Sequence, residues 1–183
     1  MSYWKGGYLH RRLLVRADLL TLTRPGGGFL PRLVVSTVEF EAVGNYDPRF
    51  LGFSMSTYNA SLRRRSFTSR VLVAFCLVPE FARCLKHYRP EQAESEELGV
   101  LLEQPGFSRR VVIYQRNGDL SLVGQTRRGM VWENREAVVI TKEQYPTFKS
   151  LLDDFCRGHL REICLSRNWR KSKAQKWAAT PPR

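Results

Sequence analysis

Arginine and lysine are the residues of this chain whose chemistry is most informative. They number 30 against 17 acidic residues, giving a formal net charge of +13. Guanidinium and ammonium groups neutralise phosphates, so this excess favours polyanions such as RNA or DNA, or an anionic membrane surface. No apolar run reaches membrane-spanning length and no basic amphipathic helix stands out. We therefore predict a nucleic acid as the partner and no membrane association.

Residue spacing predicts that some of these arginines share one face of a strand. Within the segment 109–116, Arg110, Tyr114 and Arg116 alternate with Val111 and Ile113, and successive strand side chains point to opposite faces. A single exposed arginine is usually just solvated, so the prediction concerns several of them forming one basic face. The candidate RNA-contacting residues are Lys5, Arg11, Arg12, Arg16, Tyr58, Arg63, Arg64, Arg65, Arg110, Tyr114, Arg116, Arg127, Arg128 and Arg135.

Their expected positions follow from the strand pattern. We expect residues 63–65 at the tip of a basic hairpin loop, Arg127 and Arg128 at the start of a strand, and Arg135 at its end. Ser54, Ser56 and Tyr58 would form a polar stripe able to bind phosphate, or an ordinary solvent face. Trp132 could stack on a base, but a place in the core is the favoured interpretation.

The chain has few residues arranged for catalysis. It lacks an HExxH motif, a P-loop and a GxSxG motif, so we predict a non-enzyme without cofactors. Glu80 and Glu143 are interpreted as equivalent helix-start residues rather than paired catalytic carboxylates. The four cysteines show no CxxC spacing, so we expect buried, reduced thiols and no metal site. These cysteines are Cys76, Cys84, Cys156 and Cys164.

Two segments, 69–88 and 134–155, repeat one pattern that defines the fold. Each has a run of β-formers, then a Glu near a helix start, then apolar residues at helical spacing, and each follows turn-punctuated strands. Asn117-Gly118 marks a tight hairpin turn. The order ββββα, repeated, predicts an α+β fold with two antiparallel four-stranded sheets and two helices. We expect a single domain made of two repeats, about 8–98 and 99–169, with a basic tail at 170–183.

Finer element boundaries are also predicted. The segment 61–69 reads as a hairpin loop, 70–78 as an apolar strand, and 127–134 and 137–141 as two further strands. Pro79 and Thr141 are expected at the starts of the two helices, and Gly158 at the end of the second. The segment 159–169 would form a terminal helix that packs through Leu160, Ile163, Cys164 and Trp169.

This duplication resembles the Whirly fold over roughly residues 5–169. "KGGYLHRRLLV" resembles the Lys-Gly motif that opens the first strand of that family. "VLVAFCLVPEFARCL" and "AVVITKEQYPTFKSLL" resemble its two entries from a strand into a helix, although Pro79 stands where the motif has a polar residue. "HLREICLSRNW" resembles the terminal segment that ends in Trp.

The Whirly fold includes plant single-stranded-DNA-binding proteins and the kinetoplastid mitochondrial RNA-binding, or guide-RNA-binding, proteins. Because the chain is strongly basic, it is more similar to the second branch. That resemblance implies a protein of the mitochondrial matrix (kinetoplast) that binds guide RNA through its phosphates. It also implies annealing of guide RNA to messenger RNA for uridine insertion/deletion RNA editing, in a hetero-tetramer with a related Whirly-fold subunit.

Two other functions remain open at this point. One is a single-stranded-DNA-binding protein of the Whirly type, and the other is an RNA-binding structural component of a mitochondrial ribonucleoprotein. The sequence leaves open the preference between RNA and single-stranded DNA, the preferred RNA sequence and the need for a partner subunit.

Overall fold

A computed structural model describes residues 13–23, 32–40, 48–59, 64–102 and 109–166. Within these ranges, only the backbone is described for residues 57–59 and 64–68. Two four-stranded antiparallel sheets account for most of the described residues, and each is built from strands in simple sequence order. The predicted α+β class, with two antiparallel four-stranded sheets, is confirmed.

The first sheet pairs four strands rich in β-branched and aromatic residues, which favour extended backbone. Phe53 lies between Val35 and Val71 in the register, and all three side chains are buried. The strands are β1 (Leu13–Thr23), β2 (Arg32–Phe40), β3 (Arg49–Asn59) and β4 (Arg64–Ala74).

The second sheet contains the tight hairpin that its sequence predicts. Asn117 and Gly118 have φ values of 51° and 78°, the left-handed conformation that a two-residue hairpin turn requires and that these residue types tolerate. The turn fixes the register by pairing Arg116 with Asp119. The strands are β5 (Glu96–Leu102), β6 (Arg109–Arg116), β7 (Asp119–Arg128) and β8 (Val131–Ile140).

Each sheet is followed by a helix whose first turn contains proline. A 3-10 turn, Phe75–Leu77, precedes α1 (Val78–Cys84), and a second 3-10 turn, Leu85–His87, extends it. The helix α2 (Tyr145–Gly158) ends at the predicted glycine, and residues 160–166 form a further helical segment, α3. Thr141 and Gln144 exchange backbone-to-side-chain hydrogen bonds before α2, as in a capping box.

The two helices repeat their buried residues at constant spacing. Pro79 and Phe81 of α1 recur as Pro146 and Phe148 of α2, and both phenylalanines are fully buried. This alignment places Thr147, not Glu143, opposite Glu80, so the expected equivalence of the two glutamates is wrong.

One hydrophobic core includes residues of both sheets and both helices. Phe53 of the first sheet has its ring centroid 5.6 Å from that of Phe81 and 6.0 Å from that of Phe148, in edge-to-face geometry. Close approach of α1 to the second sheet depends on Gly99, because a Cβ at that position would overlap Cys84 Sγ. The helices therefore contact the first sheet through aromatic rings, and α1 contacts the second sheet at Gly99.

Several predicted boundaries are wrong. Residues 64–69 belong to β4 instead of a hairpin loop, because they continue the ladder opposite β3. Strand β4 ends at Ala74, so Cys76 lies in a 3-10 turn. The segments 127–134 and 137–141 do not form separate strands: β7 continues to Arg128, and β8 runs through a bulge at Arg135.

The terminal helix packs differently from its prediction. Ile163 is buried, but Leu160 is 62% exposed and Cys164 is exposed, so neither contributes to the core. Trp169 lies outside the described residues. Among the described residues, no helix combines the length and apolar character needed to span a bilayer.

Candidate nucleic-acid interface

Alternation along the second sheet separates a core face from an opposite face. On β6, Val111 and Ile113 are buried in the core, whereas Arg110 and Tyr114 are partly exposed and Arg116 is exposed. We call the opposite face the platform. It comprises Arg110, Tyr114 and Arg116 on β6, Gln125 and Arg127 on β7, and Trp132 and Asn134 on β8.

Arg110 is held in place by uncharged neighbours. Its guanidinium carbon lies 4.3 Å from the centroid of the Trp132 ring, and its Nε donates a 2.7 Å hydrogen bond to Gln125 Oε1. Gln125 Nε2 in turn donates a 2.7 Å hydrogen bond to Asn134 Oδ1. A cation–π contact at an exposed site contributes about 0.5–1 kcal/mol. The side chain is thus oriented while its positive charge is retained.

Among the described residues, the platform face also carries two carboxylates, Glu97 opposite Tyr114 and Asp119 opposite Arg116. Within the described ranges, neither Arg110 nor Arg116 forms an ion pair. Asp119 pairs with Arg116 in the register, but its Oδ1 accepts a 3.0 Å hydrogen bond from the Lys142 backbone N–H. Valine side chains cross the platform face at Val100, Val112 and Val123, and Val112 is fully buried. The face therefore combines unpaired cations with an apolar strip.

Arg127 and Arg128 end β7 instead of opening a strand, which corrects the prediction for both. They precede the two-residue turn Gly129-Met130, at which Gly129 has a φ of 63°. Arg127 Nε donates a 3.0 Å hydrogen bond to the Gly129 carbonyl oxygen. Met130 is 91% exposed and Val131 is 64% exposed. The β7–β8 turn is therefore a cationic hairpin end with an apolar tip.

Arg135 lies inside β8, not at the end of a strand, and its charge is compensated. It is the extra residue of a bulge, since Gly124 pairs with Glu136 while Gln125 pairs with Asn134. Its guanidinium forms a 2.8 Å ion pair with Glu133 and donates a 2.8 Å hydrogen bond to Thr126 Oγ1. Arg135 therefore does not add an unpaired cation to the platform.

The first sheet presents its arginines differently. Arg16 is partly buried and forms a 2.8 Å ion pair with Asp18. Burial lowers the pKa of Arg70, and the charge of Arg16 lowers it further, while Glu136 opposes the change. Burial raises the pKa of Glu136, against the attraction of Arg109 and Arg70. Arg70 and Glu136 lie where β4 of the first sheet approaches β6 and β8 of the second.

The serine stripe of β3 is not a solvent face. Ser54 and Ser56 are 2% and 3% exposed, as is expected for small side chains among larger neighbours, so the predicted exposed stripe is wrong at these positions. The side chain of Tyr58 lies outside the described atoms, although its backbone pairs with Arg65 in the ladder.

Other predicted residues fall outside the described side chains. Lys5, Arg11, Arg12 and Arg63 lie outside the described residues, and for Arg64 and Arg65 only the backbone positions in β4 are described. The structure thus brings Arg110, Tyr114, Arg116 and Arg127 together on one face, places Arg128 beside it, and places Arg16 on the other sheet. Their contact with RNA remains a prediction.

Sequence reasoning missed the polar partners of Arg110. The Asn117-Gly118 turn dictates that Arg110 pairs with Gln125, so this neighbour could have been found by counting along the hairpin. Asn134 could not have been identified in this way, because the bulge at Arg135 shifts the register between β7 and β8. Trp132 is partly exposed on the platform, so the favoured core interpretation is wrong.

The cysteines and acidic residues give no sign of a second kind of site. Burial raises the pKa of Cys84 and Cys156, which disfavours the reactive thiolate. None of the four cysteines forms a disulfide. Over the part of the chain that the structure describes, no group of three or more His, Cys, Asp or Glu residues could hold a metal ion.

Comparison with known proteins adds no assignment. No protein-family model matches the chain, and no curated protein matches its sequence.

Proposed function

We propose that the chain binds single-stranded RNA through the platform, by gripping the sugar-phosphate backbone. The supporting observation is Arg110, which is oriented by Trp132 and Gln125 while its charge stays unpaired among the described residues. An arginine side chain has about 2 kcal/mol of rotamer entropy, and a pre-oriented guanidinium loses less of it on binding. Arg116 and Arg127 supply further positive charge on the same face.

The arrangement favours phosphate contact over base stacking at Trp132. One face of the indole is already covered by the Arg110 guanidinium, so a base could stack there only by displacing it. Bases that are not stacked on the protein keep their pairing edges accessible to a second strand. This is the property that strand annealing requires.

The resemblance to the mitochondrial RNA-binding branch of the Whirly fold extends this proposal. In that form, the chain binds guide RNA without sequence preference and promotes its annealing to messenger RNA during uridine insertion/deletion editing in the mitochondrial matrix. It would act with a related Whirly-fold subunit in a hetero-tetramer. The net charge of +13 and the four-strand, helix, four-strand, helix order support this assignment.

A salt titration tests the platform directly. Each phosphate contact to a single strand contributes about 0.7 to the slope of log K against log salt. We expect the Arg110→Ala/Arg116→Ala variant to lose about 0.7 for each contact removed. Arg157→Ala is the matched control, because Arg157 lies on α2 and is paired with Asp154. An unchanged slope in the double variant would remove both residues from the site.

An annealing assay tests the finer function. The purified protein, alone and with its related subunit, should accelerate pairing of two complementary RNAs relative to buffer. No acceleration in either case would contradict the annealing role.

Binding of single-stranded DNA without annealing is a second candidate, and one observation is compatible with it. Tyr114 and Trp132 are both partly exposed on the platform, and base–aromatic stacking contributes about 1–3 kcal/mol per base for DNA as well as RNA. Competition between RNA and DNA of equal length would separate the candidates, since a single-stranded-DNA binder would prefer the DNA.

A further inference from the structure

The end of the β7–β8 hairpin combines two features that an ordinary solvated turn does not need. Its tip is apolar, with Met130 and Val131 strongly exposed, and its base is cationic, with Arg127 and Arg128. A water-facing tip gains nothing from a bare methionine and a bare valine. Large exposed apolar groups rimmed by polar residues are typical of contact surfaces.

The tip is built on a firm support. Only Gly129 and Met130 separate the last ladder pair, Arg128 with Val131, and Gly129 adopts the positive φ that such a short turn uses. The hydrogen bond from Arg127 to the Gly129 carbonyl oxygen spans the same turn. Met130 is therefore presented at the far end of a two-stranded ladder.

The tip also adjoins the platform. Arg127 pairs directly with Trp132, whose ring lies against Arg110. A strand held on the platform could therefore continue past Arg127 to reach Met130, while Arg128 lies on the opposite face of the same strand. Its partner must be anionic on the outside and apolar within, which describes a nucleic-acid strand with stacked bases.

We propose that the hairpin tip is a wedge that opens base-paired RNA next to the strand held on the platform. Met130, supported by Val131, inserts between neighbouring bases while Arg127 and Arg128 contact the flanking phosphates. In duplex DNA, apolar side chains, methionine among them, insert between base steps and partly unstack them. This inference rests on the proposed function, and it adds strand opening to strand holding.

The test compares opening with binding in one set of variants. An RNA hairpin with a single-stranded tail carries a fluorescent donor and acceptor on its two stem ends, and an unstructured RNA of the tail's length reports affinity. The wedge variant is Met130→Ser/Val131→Thr, which keeps a β-branched residue in β8. Leu160→Ser is the matched control, because Leu160 is also exposed but lies on α3.

The expected result separates the two activities. The wild type and Leu160→Ser should open the stem, and the wedge variant should require about tenfold more protein for the same opening, equivalent to about 1.4 kcal/mol. All three should bind the unstructured RNA within about twofold of one another. Equal opening by the wedge variant, or binding by the wild type without any opening, would overturn the inference while leaving the proposed function intact.

Two further outcomes are informative. Failure of the wild type to bind the unstructured RNA would overturn the proposed function itself, and the wedge with it. Vesicles of phosphatidylglycerol and phosphatidylcholine test an anionic membrane surface as the partner of the tip. Vesicle binding that is lost in the wedge variant, together with unchanged stem opening, would assign the tip to a membrane and overturn the inference.

Discussion

The two sheets have the same strand order, but Arg110 of the second sheet and Arg16 of the first have opposite kinds of partner. On the second sheet, Arg110 is oriented by an indole and an amide, which leave its charge unpaired among the described residues. On the first sheet, Arg16 lies against Asp18, and burial lowers the pKa of Arg70. The number of arginines on a strand therefore does not identify a polyanion-binding face. The groups that each guanidinium contacts are more informative, whether they lie on the same strand, as Asp18 does, or on a neighbouring one, as Gln125 does.

Both sheets contribute side chains to one hydrophobic core, so we expect them to unfold together. Phe148→Ala tests this expectation and should have the largest effect of the changes considered. Phe148 is fully buried and contacts Phe53 of the first sheet, and removing a buried phenylalanine side chain costs about 3–5 kcal/mol. Chemical denaturation should show one transition in both proteins, with a much lower midpoint in the variant. Leu160→Ala, at an exposed position, should change little.

Two separate unfolding transitions would contradict a single cooperative core. If Phe148→Ala produced two separate transitions, the sheets would be independent units and their opposed surfaces would need separate explanations.

The contrast between Arg110 and Arg16 gives the next largest effect. Arg110→Ala should weaken binding of single-stranded RNA about tenfold, or about 1.4 kcal/mol, because it removes an oriented and unpaired charge. Arg16→Ala should change affinity less than about twofold, since Asp18 already compensates that charge. Fluorescence anisotropy at one fixed salt concentration measures both. Equal losses in the two variants would place the first sheet in the site as well.

The Gln125→Ala variant tests whether the orientation of the Arg110 side chain matters in addition to its charge. Gln125→Ala leaves Arg110 charged but removes the acceptor of its Nε hydrogen bond. We expect weaker binding with an unchanged salt slope, since no phosphate contact is lost.

Local sequence patterns predicted some features of the site and not others. The alternation of Arg110 with Val111 correctly predicted that this arginine lies on the sheet face opposite the core. Asn117-Gly118 correctly predicted the hairpin turn. Both are local effects. The bulge at Arg135 was not visible, since it depends on pairing between distant strands. Burial of Ser54 and the ion pair of Arg16 also arise from tertiary neighbours that strand periodicity does not report.

Tyr88 links the two halves of the chain, and its loss should have a smaller effect. Its hydroxyl donates a hydrogen bond to the carbonyl oxygen of Gly118, in the hairpin of the second sheet. Its ring is stacked on that of Tyr145, with 3.9 Å between the two ring centroids. Tyr88→Phe should cost about 1 kcal/mol. If the melting temperature did not fall, this link would not contribute to joining the α1 segment to the hairpin.

The same residue gives an alkaline signature. Burial, with the nearby Tyr145, raises the pKa of Tyr88 to about 12. In the unfolded chain, the Tyr88 hydroxyl ionises near its ordinary pKa of 10. The wild type should therefore lose stability between about pH 10 and about pH 12. The Tyr88→Phe variant should lose less stability over the same range. An identical alkaline loss in both proteins would assign it to other groups.

The smallest expected effect concerns Glu136, where the two sheets approach each other. Burial raises the pKa of this carboxyl, although Arg109 and Arg70 attract its charged form. The folded state therefore holds the proton more tightly than the unfolded state, so stability should rise as the pH falls through the raised pKa towards the ordinary value. Glu136→Gln should lack that increment when melting temperatures at about pH 7 and about pH 5 are compared. If the wild type instead lost more stability than the variant on acidification, attraction by the two arginines would outweigh burial. The contact between the two sheets at Glu136 would then be stabilised mainly by its attraction to Arg109 and Arg70. The arginines of the two sheets would in that case differ in their charged partners and not in their burial.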